Sequence, residues 1–202
     1  METFKLNTIE KYLLTTMHIS PERTEVILPY LVEFARLQKV LKNQLIEVPG
    51  PAAEGRIWLS LNAMTHSYSI CQNNHNLCGC MIWKKLELMV FSGSLINHVD
   101  RINYIQILEP GYVLSISYPD ALILKREFDE INKHLEHIAA KNELAYLHRN
   151  VLLHELPQQR VQQFEAENPL FIKVASGDIK AMHVGLSRQG YADQKKKIST
   201  EQ

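Results

Sequence analysis

No stretch of this sequence is apolar enough to cross a bilayer: its hydrophobic runs stop far short of the roughly 20 residues that a span needs. The N-terminus, METFKLNTIEKYLLTTM, is amphipathic, carries Glu2, Glu10 and two lysines, and lacks the apolar core of a signal peptide. A cytoplasmic protein without a membrane partner is expected. Net charge is lacking too: 22 Lys and Arg balance 22 Asp and Glu, so no global basic field announces nucleic acid. Cysteine is scarce. Cys71, Cys78 and Cys80 make an odd number, which argues against a disulfide framework. With no Cys-x-x-Cys pair, a thiolate metal site completed by His66 or His75 gives way to small buried residues on strands. There is no His-x-His pair for a metal-holding barrel, no Gly-x-Ser-x-Gly elbow and no phosphate loop. Neither an enzyme nor a bound cofactor or metal is expected.

What remains is well patterned. The 202 residues are enough for one large domain or two small ones, each with its own core. Residues 1–40 look helical, with Ile9, Leu13 and Met17 on one face, Ser20-Pro21 capping and opening a second helix, and a change of pattern near Val32. From about Val32 to Tyr118 the text becomes strand-like. Ile57, Leu59 and Leu61 alternate with Trp58, Ser60 and Asn62, and turns are signalled at Pro49-Gly50-Pro51, Gln72-Asn73-Asn74, Ser92-Gly93-Ser94 and Glu109-Pro110-Gly111. Many short strands so punctuated predict an antiparallel sandwich or jelly roll.

After Pro119 the chain turns helical, first with a short helix opened by Pro119 or Asp120. A long helix is predicted from about Glu127 to Leu156, ended by Pro157. Its stripe of Ile131, Leu135, Ile138, Leu144 and Leu147 exceeds what one small domain needs and reads as a dimer seam. Residues 157–202 carry seven Lys or Arg against five Asp or Glu, a small basic excess concentrated in Lys195-Lys196-Lys197.

The last 27 residues are the most informative. Ser176 to Gln202 read as a short helix, a tight turn and a second helix. Ala181 is small enough for a second helix to cross close by. Gly185, four residues on, can take the left-handed conformation of a sharp turn, and Ser187 can cap the second helix. This is the pattern of a helix-turn-helix, whose second helix enters the DNA major groove. The positions where such packing wants apolar residues hold Lys180, Val184, Leu186, Tyr191 and Gln194, so three fit and two do not. Gly190 within the second helix costs about 1 kcal/mol against alanine.

A jelly roll, a long helix and a helix-turn-helix, in that order, resemble the Crp/Fnr transcription regulators over nearly the whole chain. The strongest piece lies in residues 157–198, where IKAMHVGLSRQGYADQKKKI is similar to the recognition motif of Bacteroidetes-type members. The resemblance implies an α+β protein: a cyclic-nucleotide-binding-like jelly roll with flanking helices over residues 1–126, a dimerisation helix over 127–156 and a DNA-binding helix-turn-helix domain over 157–202. The partners it implies are a second copy of the chain, double-stranded DNA with a palindromic site, and a small-molecule effector of unknown kind.

The same resemblance places base readers at Ser187, Arg188 and Gln189, with Gln189 where the family has Glu and Asp193 where it has a second Arg. Arg188 can bond guanine O6 and N7, and Gln189 adenine N6 and N7, while Ser187, Lys195 and Lys196 hold phosphates. The family's β-hairpin wing has no room before Gln202. Arg101 aligns with the arginine that grips an effector phosphate. The accompanying Gly-Glu pair falls on Phe91-Ser92 and the Ser on Ile102, so cyclic AMP is not expected to bind. The rival expectation is a dimeric sensor or interaction protein of the same fold whose recognition helix no longer reads DNA.

Overall fold

The computed structural model describes residues 1–200 apart from Asn74. Two helices, α1 (Glu2–Thr15) and α2 (Pro21–Phe34), precede eight strands: β1 (Arg36–Val40), β2 (Leu45–Glu47), β3 (Arg56–Ser60), β4 (Thr65–Ile70), β5 (Leu77–Trp83), β6 (Leu88–Met89), β7 (Asn103–Ile107) and β8 (Gly111–Ser117). A short helix, α3 (Ser92–Asn97), lies between β6 and β7 where the sequence suggested only a turn. Then come α4 (Tyr118–Glu127), α5 (Asp129–His154), α6 (Pro157–Glu167), α7 (Pro169–Val174), α8 (Gly177–His183) and α9 (Arg188–Thr200). No helix among the described residues is long and apolar enough to cross a membrane.

The strands form two four-stranded antiparallel sheets, ordered β1-β8-β3-β6 and β2-β7-β4-β5. This is the expected jelly roll, with one boundary corrected. Residues 32–34, read as the start of a strand, complete α2, and the chain extends only at Ala35. Ser20 caps α2 as its sequence position suggested, accepting from the Arg23 amide.

Alternation along β3 explains the layers. Trp58 points between the sheets, into a core with Met81, Met89, Ile105, Ile107 and Val113. Ile57 and Leu59 point the other way and are covered by α1, α2, α4 and α5, where they meet Leu13, Ile27, Leu31, Leu124 and Leu135. Both faces of this sheet are therefore buried. The interior between the sheets is packed with side chains.

The long helix runs unbroken as α5 over Asp129–His154, close to the expected bounds, and a short helix precedes it. Phe128 is extended (φ −128°, ψ 111°), so α4 ends and α5 begins around it. Ser117 caps α4 by accepting from the Asp120 amide. The expected seam divides along the single helix α5. Ile131 and Leu135 are buried in the core of their own chain, with Ile138 packed against it, because the first half of α5 covers the sheet. Leu144, Leu147 and Val151, in the second half, are 67%, 55% and 62% exposed. Their spacing of three and four residues makes a narrow apolar stripe left largely uncovered by the described residues.

The cysteine expectation is also corrected. Cys71 and Cys78 form a disulfide across the β4–β5 hairpin, leaving Cys80 as the free thiol. Antiparallel pairing of Ser69 with Cys78 and of Ile70 with Leu77 brings Cys71 diagonally opposite Cys78, which an odd count of cysteines does not preclude.

Candidate nucleic-acid interface

Ser176 caps α8 by accepting from the Ile179 amide. At its other end the Ala181 carbonyl accepts from the Leu186 amide, and Gly185 takes the left-handed conformation at φ 65°. A side chain at Gly185 would also meet Arg160, whose guanidinium donates to the Val184 carbonyl at 2.8 Å. Ser187 then starts α9. Its Oγ accepts from the Gly190 amide at 3.0 Å and its carbonyl from the Tyr191 amide at 2.8 Å. Two helices joined by this turn make a helix-turn-helix.

Its core is built by Val161, Phe164, Phe171, Ala181, Val184 and Tyr191, with Leu186 and Ile198 packed at the side. The Tyr191 hydroxyl donates to Glu165 on α6. The two misfit positions, Lys180 and Gln194, are half-buried at the margin. There the stem of a long polar side chain packs while its head reaches water.

The face of α9 away from this core carries Arg188, Gln189, Ala192, Lys195 and Lys196, all exposed. The structure brings all five sequence-derived candidates, Ser187, Arg188, Gln189, Lys195 and Lys196, to one helix. It also reveals partners that the sequence did not. Arg188 Nη1 lies 3.5 Å from Asp178 Oδ2, Gln189 Nε2 donates to Asp193 Oδ1 at 2.8 Å, and Lys195 Nζ lies 3.0 Å from Glu165. Such exposed pairs are worth about 0–1 kcal/mol each and exchange readily for other anions. Lys196 and Lys197 are exposed, on the last turns of the helix.

Arg101 lies elsewhere, at one end of the barrel. Its side chain is 5% exposed and its guanidinium pairs with Glu47, itself 3% exposed. It also donates to the Val48 carbonyl at 2.9 Å and to the Pro51 carbonyl at 3.1 Å. The second Glu47 oxygen accepts from the Trp58 indole at 2.6 Å. Burial lowers the guanidinium pKa, so the pair and the two carbonyls hold the charge in place. Beside it, α3 and residues 99–103 face α5 across a groove of about 650 Å³ whose walls include Phe91, Val99, Ile102, Tyr146 and Leu147.

The helix-turn-helix does not hang free. α8 rests on β5, and its core runs into Met64 and Leu108 of the barrel and Leu152 of α5. At the centre of this junction His66 of β4 meets His183 of α8, Nδ1 to Nε2, at 3.2 Å. Spacing could not reveal this contact, because the two residues are 117 positions apart.

Solved structures with a similar arrangement include transcription regulators. A Crp/Fnr-family transcriptional regulator from Eubacterium rectale superposes with a TM-score of 0.70 at 11% identity, over 90% of this chain and 88% of that one. The chain has the Crp/Fnr fold. The c-di-GMP-responsive global regulator CLP of Xanthomonas campestris gives a TM-score of 0.68 at 13% identity, over 88% and 92% of the two chains. FixK2 of Bradyrhizobium japonicum gives 0.67 at 12%, over 83% and 85%. No protein-family model and no curated protein sequence matches. A shared Crp/Fnr fold at such low identity fixes the arrangement of barrel, long helix and helix-turn-helix, while function has to be argued from the site.

Proposed function

We propose that this protein is a transcription regulator that binds a palindromic double-stranded DNA site as a homodimer, acts in the cytoplasm and does not respond to cyclic AMP. One observation carries DNA binding. The N-terminal turn of α9 stands clear of the protein with Arg188 and Gln189 on its outer face, followed by Lys195 and Lys196 on the same side. Arg188 supplies a bidentate donor for guanine and Gln189 a paired acceptor and donor for adenine, Ser187 and the lysines supply phosphate contacts, and the helix end contributes its partial positive charge. The unpartnered stripe Leu144, Leu147, Val151 supports pairing of α5 with its copy, and a two-fold dimer reads a two-fold site.

Arg101 has a structural role in this reading, because an effector phosphate would have to displace Glu47. The groove beside it, with Ile102 66% exposed on its wall beside Val99 and Leu147 and with Asp100 and Glu143 also lining it, favours a small effector of largely apolar character that is not an anion.

Binding to a pool of random duplexes at increasing salt tests the proposal. A steep loss of affinity with salt and enrichment of a palindrome are expected. Calorimetry should register no binding of cyclic AMP at micromolar concentrations. One observation favours a second reading, a dimeric interaction protein without DNA affinity: Asp193 sits on the reading face and holds Gln189. That reading requires little affinity for duplex at any salt.

A further inference from the structure

We propose that His66 and His183 form a proton-controlled latch between the barrel and the helix-turn-helix unit, closed when both imidazoles are neutral and opened when they are protonated. The latch stands whether or not α9 reads DNA, because it concerns only how α8 is held to the sheet.

The hydrogen-bond network assigns the protons. Gln106 Nε2 donates to the Asn43 carbonyl at 3.3 Å, which turns Gln106 Oε1 toward His66 Nε2, 3.0 Å away. An oxygen can only accept, so His66 carries its proton on Nε2 and a neutral ring leaves Nδ1 bare. His183 Nε2, at 3.2 Å from that bare nitrogen, must then be the donor. Adding a proton to His66 Nδ1 sets two N–H groups against each other. Adding one to His183 leaves the bond intact but places a charge on a ring that is 3% exposed.

Among the described residues the surroundings offer no counter-charge. His66 meets Tyr68 on its own strand, with Tyr104 stacked behind it, then Gln106 from β7 and Phe171 from α7. His183 meets Phe164 from α6, Phe171 from α7, the backbone of Gly79 on β5, and the electrostatic influence of Arg149 from α5. Arg149 is the charged group of this set, and it repels a second cation. Among the described residues no carboxylate bonds to either ring.

Burial accordingly pushes the His66 pKa down from 6.5 to about 4, against a smaller upward pull from Gln106. Burial, then His66, then Arg149 hold His183 well below its ordinary value. In the released form both rings face water and titrate near the ordinary value. Docking is thus at full strength above about pH 6.5 and weakens as pH falls from there toward 4, by up to tenfold per histidine per pH unit.

Hydrogen exchange of the full chain, corrected for intrinsic rates, between about pH 7.5 and about pH 5 tests this. Opening at the α8–β5 contact should rise by on the order of a thousandfold at the lower pH, while β8 stays protected. The paired substitution His66→Gln and His183→Gln keeps amide donors and acceptors but removes titration, and should flatten the response. A wild type whose corrected exchange does not change with pH overturns the latch, as does a double variant that opens to the same extent. If the double variant fails to fold, the wild-type imidazole proton resonances decide. Both rings titrating near 6.5 while α8 remains protected overturns the proposal, and silent rings until α8 opens sustain it.

Discussion

Asp193 accepts a hydrogen bond from Gln189 one turn earlier on α9, at 2.8 Å, so the reading face of that helix binds one of its own readers. Entry into the major groove must break this bond and bring the carboxylate toward the phosphates. Asp193→Arg removes the repulsion, frees Gln189 and adds a cation. Duplex affinity at low salt should rise about tenfold, near 1.4 kcal/mol, with a steeper salt dependence. The same variant selecting a palindrome from random duplexes, where wild type selects none, would mean that this aspartate alone had silenced the helix.

Arg188 and Lys196 should fail in different ways. Arg188→Ala is expected to cost about 1–3 kcal/mol on the preferred site and to relax the choice of guanine at one position in each half-site. Lys196→Ala should weaken every duplex alike and reduce the salt slope by about 1 per subunit. Asp178→Asn, which releases Arg188 from its 3.5 Å ion pair, should strengthen binding slightly. Fluorescence anisotropy on specific and scrambled duplexes over a salt series separates these outcomes.

The two halves of α5 give opposed expectations for the dimer. Leu147→Glu puts a charge on the exposed stripe and should yield folded monomers in sedimentation experiments. Leu135→Glu buries a carboxylate in the chain's own core, and should lower stability by about 3 kcal/mol or more. A Leu147→Glu protein that stays dimeric would remove α5 as the seam.

The sequence misjudged this helix for a physical reason. Periodicity identifies a face that wants burial but not what buries it. Ile131 and Leu147 belong to the same run of apolar residues, and only the position of the sheet distinguishes them. The barrel was legible because its strands alternate and its turns carry Pro, Gly and Asn. The helix-turn-helix was legible because Ala181, Gly185 and Ser187 each answer a local steric need. The partners of the readers were not. Asp178 lies on a different helix from Arg188, Glu165 pairs with Lys195 across thirty positions, and the Cys71–Cys78 bridge depends on strand register.

The Glu47–Arg101 pair should act on stability. Arg101→Met leaves a buried carboxylate with the Trp58 indole as its remaining donor among the described residues, and should cost about 3–5 kcal/mol. Adding Glu47→Gln retains an acceptor for Trp58 while removing the charge, so the double variant should recover much of that loss. Thermal unfolding of the three proteins checks the order. If Arg101→Met unfolds like wild type and binds a nucleotide less well, the arginine belongs to a ligand after all.

Gly79 gives a way to separate α8 from the sheet without titrating anything. A β-carbon there would lie 2.6 Å from His183 Cγ, closer than packed carbons approach, and the opposing ring is held between Phe164 and Phe171. Gly79→Ala should therefore loosen the helix-turn-helix at neutral pH while leaving the secondary structure of both units in place. In a dimer the docking of α8 fixes the distance between the two α9 helices, and hence the half-site spacing that fits both. The variant should lose affinity for a palindrome more than for a single half-site. Equal losses on the two would mean that the linker helix α5, and not the contact at Gly79, sets that spacing.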